Sequence, residues 1–245
     1  MEVFDPIFIK LSEVYWDPFI VLAAVILVLA AFISHGRRKG FLRMLFSLAS
    51  VVIAIMIGSC VTPNVAAFIS EKTGFTNTVK ENVASAFEEY NSVRDNSVYE
   101  SQVETINSYS VPETLKSMLI SNDTPEIYEK LLVSYFEDYV ATYLSGLIVQ
   151  ILTFVVTILL IMIILKVTVL SLDFISNLPV LHFFNKLLGA FAGGAEGIFA
   201  VWLIFLILTT FVGGSLGQRF SNAVNENYIL TMIYEVNPLL VFVKV

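Results

Sequence analysis

The sequence predicts an all-α membrane protein with four transmembrane helices. Apolar residues make up 57% of the 245 residues and charged residues only 14%, whereas about a quarter of a soluble domain is charged. Four apolar stretches reach the ~20 residues that a helix needs to cross a bilayer. A soluble chain of this composition would expose large apolar patches, so the composition favours lipid as the solvent.

The four spans are expected at residues 18–34, 41–61, 147–165 and 188–212. They form two transmembrane hairpins, assigned to residues 17–61 and 147–213. The chain between them, residues 62–146, is too polar to cross a bilayer and forms an acidic insertion. Its apolar residues follow helical spacing, which predicts helices at 77–91 and 95–109 and a third that begins at Thr124. The insertion is either a helical linker on the membrane surface or a small domain that meets a protein partner.

Both ends of the chain are amphipathic. Residues 1–16 place apolar side chains on one helical face and are expected to lie at the membrane interface. The tail, residues 214–245, is broken at Asn237 and Pro238, and the apolar run after the proline is too short to span. We therefore expect the tail to be an amphipathic interfacial segment or a re-entrant one.

The short loops between the spans predict the orientation. The first loop carries Arg37, Arg38 and Lys39 and no acid, and the second carries two lysines against one aspartate. Cytoplasmic loops are enriched in Lys and Arg, so both loops are expected in the cytoplasm. Both termini and the insertion then lie on the opposite side of the plasma membrane.

The sequence contains no recognisable catalytic motif, cofactor site or metal site. The histidines His35 and His182 are far apart, and the one cysteine, Cys60, lies in an apolar run. No Gly-x-Ser-x-Gly, His-Glu-x-x-His or phosphate-binding glycine pattern is present. The formal net charge of −7 argues against a nucleic-acid partner, because phosphate binding needs a basic surface. We therefore predict a protein that is not an enzyme and needs no cofactor.

The fourth span carries the most specific local pattern. Gly189, Gly193 and Gly197 recur every four residues, and such a stripe lets another helix approach closely. The stripe predicts helix packing, either within the chain or between copies in a homo-oligomer. A glycine-weakened helix that moves during transport is the alternative.

Glu196 lies beside this stripe, inside the apolar segment. A charged side chain at the bilayer centre costs about 2.5–3.5 kcal/mol on insertion scales, so a partner is expected. Arg43, near the start of the second span, is the candidate, and the two residues are predicted to form an intramembrane charge pair. The alternative is that Glu196 relays protons or ions.

Several of these residues together resemble the colicin V production protein family. The first loop reads Gly-Arg-Arg-Lys-Gly-Phe over residues 36–41, and residues 185–189 read Asn-Lys-Leu-Leu-Gly, followed by the glycines of the stripe. An aspartate precedes the first span, as in that family. The positions that match the family pattern besides the stripe are Asp17, Gly36, Gly40 and Asn185. The resemblance covers residues 17–62 and 173–213.

The chain departs from the family pattern at two positions. Met44 stands where an acid is frequent, and Glu196 stands where Lys or Arg is common. The two departures resemble an exchange of charge across one contact, which favours the pair of Arg43 and Glu196.

The resemblance implies a bacterial plasma-membrane protein with a non-enzymatic role in toxin production, secretion or envelope homeostasis. Two other functions remain open. One is a transporter or channel subunit that uses Glu196. The other is a scaffold that presents residues 62–146 to an extracytoplasmic protein.

Overall fold

The computed structural model describes residues 16–92, 98–170 and 182–242, so the predicted interfacial segment 1–16 lies outside the description except for Trp16. The described residues are mostly helical and contain no strand. Within these ranges four helices are long and apolar enough to span a membrane, which confirms the all-α membrane fold. The helices are α1 (Pro18–Lys39), α2 (Phe41–Thr73), α3 (Phe75–Ser92), α4 (Tyr99–Ser108), α5 (Glu113–Ser121), α6 (Pro125–Leu131), α7 (Phe136–Leu170), α8 (His182–Thr209), α9 (Ser215–Glu226) and α10 (Tyr228–Glu235), followed by a 3₁₀ helix (Pro238–Phe242).

Residues next to each end of α1 determine where the helix begins and ends. The side chain of Asp17 accepts a hydrogen bond from the backbone N–H of Phe19 at 2.8 Å, and proline occupies the first helical position. The helix ends in three basic residues, which suit the negative end of its dipole. Gly40 then makes the whole turn into α2 with φ of 81°, a conformation that few other residues adopt.

Two of the spanning helices are longer than a bilayer is thick. α2 has 33 residues and α7 has 35, or roughly 50 Å each at 1.5 Å per residue, against about 30 Å of hydrocarbon. α2 continues through Pro63 to Thr73, and α7 begins at Phe136. The predicted limits of the insertion therefore fall inside continuous helices.

The helices α3 to α6 pack against the projecting part of α7 and form what we call the α3–α6 unit. Val83, Phe87, Tyr109, Leu119 and Tyr139 are buried together in its core. The Tyr139 hydroxyl donates to the backbone carbonyl of Leu119, and the Tyr109 hydroxyl donates to a buried asparagine side chain. The periodicity of the sequence did not predict helix α5.

The spans pair across the sequence rather than along it. α1 packs mainly on α8, and α2 packs on both α7 and α8. The helices that follow one another in each predicted hairpin, α1 with α2 and α7 with α8, share far fewer contacts. The hairpins therefore describe how the chain is connected, whereas the packing joins one hairpin to the other.

Candidate functional site: the glycine junction and the Glu196 cluster

The backbones of α1 and α8 touch at three glycines. A Cβ atom built on Gly36 would lie less than 3.0 Å from the carbonyl oxygen of Gly189 and 2.9 Å from the Cα of Gly193. A Cβ atom on Gly193 would likewise meet the carbonyl oxygen of Phe32 within 3.0 Å. Backbone atoms cannot swing aside as side chains can, so only glycine fits these positions. We call this contact the glycine junction.

The remaining glycines of α8 separate into tight and open positions. A Cβ atom on Gly197 would lie 2.9 Å from the Cβ of Phe32, whereas one on Gly194 would lie 3.5 Å from Cγ1 of Ile33, an ordinary contact. The stripe of Gly189, Gly193 and Gly197 is thus covered by α1 of the same chain. A homo-oligomer through this stripe would first have to displace α1.

Asn185 joins the start of α2 to the start of α8. Its Oδ1 atom accepts a hydrogen bond of 2.7 Å from the backbone N–H of Phe41, one of the donors that a helix leaves free in its first turn. A Cβ atom on Gly40 would lie 2.6 Å from Nδ2 of Asn185. Gly36, Gly40 and Asn185 therefore meet at one place, while Asp17 lies at the other end of α1.

Glu196 sits where three helices meet, with 6% of its surface exposed. Its Oε1 atom accepts a hydrogen bond of 2.9 Å from the Ser47 hydroxyl of α2 and forms an ion pair of 3.1 Å with Nζ of Lys166 on α7. The Lys166 side chain is 45% exposed, so the ammonium group bridges the buried carboxylate and the surface. We call these three residues the Glu196 cluster.

The prediction that Arg43 pairs with Glu196 is wrong. Arg43 lies one helical turn before Ser47, about 6 Å nearer the Gly40 end by helical rise, and its side chain is exposed. Lys166 directly follows the predicted third span and lies within α7, which continues to Leu170. Its ammonium group takes the place beside Glu196 that was expected of Arg43.

A comparison with protein families finds a similarity over part of the chain. The family model for colicin V production protein matches residues 128–238. Over these residues the chain is similar to the colicin V production protein family. No curated protein and no solved structure matches the chain.

The matched region differs from the one that the sequence motifs indicated. It begins in α6, covers α7 and α8 with the glycine stripe, and continues into the 3₁₀ helix at Pro238. It includes Lys166 and Glu196 but not α1, α2 or the turn between them, which carry Gly36, Ser47 and Gly40. The glycine junction and the Glu196 cluster therefore each combine residues of the family-matched region with residues that precede it.

Basic side chains surround the glycine junction. They are Arg37, Arg38, Lys39, Arg43 and Lys186, and all five are exposed. None of them forms an ion pair with another residue that the structure describes. This end of the molecule is therefore strongly positive, although the chain has a formal net charge of −7.

The α3–α6 unit carries the opposite charge and a buried acid that sequence reasoning missed. Asp123 is 9% exposed, and its Oδ2 atom has no hydrogen-bond partner among the described residues. Burial raises the pKa of this carboxyl group, and the neighbouring Tyr128 hydroxyl opposes part of that rise. The only signal in the sequence was the helix start at Thr124, which places Asp123 in a turn but does not predict its burial.

The same unit has an acidic groove between α3 and α7. Glu88, Glu137 and Asp138 line it together with Asn91, and Lys80 lies 4.0 Å from the Asp138 carboxylate. Among the described residues, no group of three His, Cys, Asp or Glu side chains is arranged to hold a metal ion.

Proposed function

We propose that this protein has a non-enzymatic role in toxin production, secretion or envelope homeostasis, and that it acts through contacts between its membrane helices. The observation that supports this is the glycine junction. Residues that match the family pattern, Gly36, Gly40, Asn185, Gly189 and Gly193, meet in a contact between backbones. Such a contact fixes the relative position of helices and offers no nucleophile or proton donor.

The proposed orientation follows from charge. The glycine junction and its basic side chains would face the cytoplasm, and the acidic α3–α6 unit would face the other side. In a bacterial plasma membrane, the junction would hold α1 and α8 so that the unit stands on a fixed base. A partner in toxin export could then bind the unit, the basic end or both.

Complementation of a gene deletion tests this proposal. The deleted host would receive the wild-type gene, Gly193→Ala or the matched control Gly194→Ala, and secreted toxin activity and membrane integrity would be measured at equal membrane levels of protein. We expect Gly194→Ala to restore both properties and Gly193→Ala to fail in part. Full complementation by Gly193→Ala together with Gly36→Ala would overturn the proposal.

A transporter or channel subunit is the second candidate, and the Glu196 cluster favours it. Intramembrane acids that pair with a lysine and a hydroxyl occur along ion and proton pathways. Glu196→Gln keeps an acceptor for the Ser47 hydroxyl but removes the charge. Proton or ion flux into proteoliposomes that Glu196→Gln abolishes and Arg43→Gln preserves would support transport. The absence of flux with wild-type protein would exclude it under those conditions.

A further inference from the structure

The chain after α8 turns back and packs along that helix. The indole N–H of Trp202 donates to the backbone carbonyl of Ile233 at 3.0 Å, and the side chain of Asn237 donates to the carbonyl of Trp202 at 3.3 Å. The Thr209 and Tyr234 hydroxyls lie 2.9 Å apart and are buried. These bonds hold α10 and the following break against the membrane-spanning part of α8.

The depth of this contact can be counted along α8. Trp202 lies seven residues before the end of the helix at Thr209, which is about 10 Å of helical rise. The break around Asn237 is therefore level with Trp202, about 10 Å along α8 from its end at Thr209. It lies on the same side of the bilayer as the α3–α6 unit.

The chain then returns toward the surface it came from. Phe242 stacks on Phe154 of α7 with ring centroids 5.9 Å apart. Phe154 lies 12 residues from Lys166, about 18 Å toward the α3–α6 unit. Lys166 on α7 pairs with Glu196 on α8, so the two residues mark a common level. Thr209 lies about 20 Å from Glu196 along α8, in the same direction. Phe242 is thus level with the end of α8 again.

The two breaks in this segment have their backbone groups satisfied by asparagines. Asn227 accepts hydrogen bonds from the N–H groups of Ile229 and Leu230, and Asn237 accepts one from Leu239. Both asparagines are buried. Non-helical backbone at membrane depth is tolerated only where protein or trapped water satisfies its polar groups, so these caps meet the requirement of a segment within lipid.

The outward face of the segment is apolar except for the exposed Glu235. Its exposed side chains include Ile229, Met232, Val236 and Val241, and Glu235 is the one charged residue among those the structure describes there. We propose that Tyr228–Phe242 is a re-entrant segment whose outward face contacts the acyl chains of the leaflet next to the α3–α6 unit. The sequence alone left an interfacial and a re-entrant tail equally open.

Spin-label accessibility in the full-length protein tests this depth. Cys60 is replaced by Ser, and single cysteines are introduced at Val236 and, as a second position, at Met232. The labelled proteins are placed in nanodiscs of phosphatidylcholine and phosphatidylglycerol, and collision with oxygen is compared with collision with a water-soluble nickel chelate. Ile204→Cys on the exposed face of α8 serves as the embedded control, and Asn222→Cys on α9 serves as the aqueous control.

We expect both tail labels to favour oxygen over nickel to the same degree as the label at position 204. Labels that favour nickel like the one at position 222 would mean an interfacial or aqueous tail and would overturn the proposal. Low collision with both reagents would mean that protein, such as a second copy, covers the face, and would overturn the lipid contact. Unchanged thermal unfolding of each labelled variant shows that the fold is kept.

Discussion

The glycine junction allows a sharp prediction from two neighbouring positions on one helix. Gly193→Ala and Gly194→Ala add the same methyl group to α8, one residue apart. At Gly193 the new Cβ atom would lie within 3.0 Å of the Phe32 carbonyl oxygen, whereas at Gly194 it would lie 3.5 Å from the Ile33 side chain. Only the first substitution requires α1 and α8 to separate.

The expected difference in stability follows from two effects of the added methyl group, of which only one is common to both variants. Replacing glycine by alanine in a helix stabilises it by up to about 1 kcal/mol, and this gain applies to both positions. Overpacking a tight contact costs about 1–3 kcal/mol, and this cost applies only at Gly193. We therefore expect Gly193→Ala to be less stable than Gly194→Ala by about 1–3 kcal/mol, with Gly194→Ala equal to or more stable than wild type.

Reversible unfolding of the full-length protein in mixed micelles, followed by circular dichroism as denaturing detergent is added, measures this difference. Gly36→Ala should behave like Gly193→Ala because it enters the same contact from α1. The double variant should lose less stability than the sum of the single losses. The separation of α1 from α8 that accommodates one added methyl group also accommodates the other. Equal stabilities for Gly193→Ala and Gly194→Ala would refute the backbone contact.

The remaining predictions concern buried polar groups. Lys166→Met should destabilise the fold by about 1–3 kcal/mol because it leaves the buried Glu196 carboxylate without its charged donor. Arg43→Met should change the unfolding midpoint little, and the reverse order would restore the pairing that the sequence predicted. Asn185→Ala should cost about 1–3 kcal/mol by removing the acceptor for the part-buried N–H of Phe41, whereas Asn185→Asp, which keeps an acceptor, should cost less in the same unfolding assay. Asp123 has a folded-state pKa raised above its ordinary 3.8, so its contribution to stability is full below that pH and is lost as pH rises through the folded-state value. Asp123→Asn should therefore be more stable than wild type at neutral pH and show a flatter dependence of thermal unfolding on pH, and an unchanged pH dependence would contradict the burial of this acid.

The spans could be predicted from sequence because their signal is local. A run of ~20 apolar residues must be helical in lipid whatever its neighbours are, since no other partner satisfies its backbone. The cap at Asp17 and the turn at Gly40 are equally local. The parts of α2 after Val61 and of α7 before Leu147 lie outside the predicted spans because they are more polar, and hydropathy registers only the apolar part of a longer helix.

Pairing between helices could not be predicted in the same way. The glycine stripe indicated close packing but not its partner, because α1 carries only Gly36 as a matching small residue at the contact. The need of Glu196 for a partner followed from its position, yet the choice between Arg43 and Lys166 depends on the rotation and length of α7. Asp123 was missed because its burial arises from α5, α6 and α7 packing together.

The central claim is that α8 presents its glycine stripe to α1 of the same chain. Ile33→Cys with Gly194→Cys, in a background where Cys60 is Ser, places two thiols at the edge of this contact, where the built Cβ atom of Gly194 is 3.5 Å from Ile33. Mild oxidation in native membranes should form a disulfide within one chain, seen as a monomer with faster mobility on non-reducing gels. Disulfide-linked dimers formed in its place, or no crosslink at all, would contradict the claim.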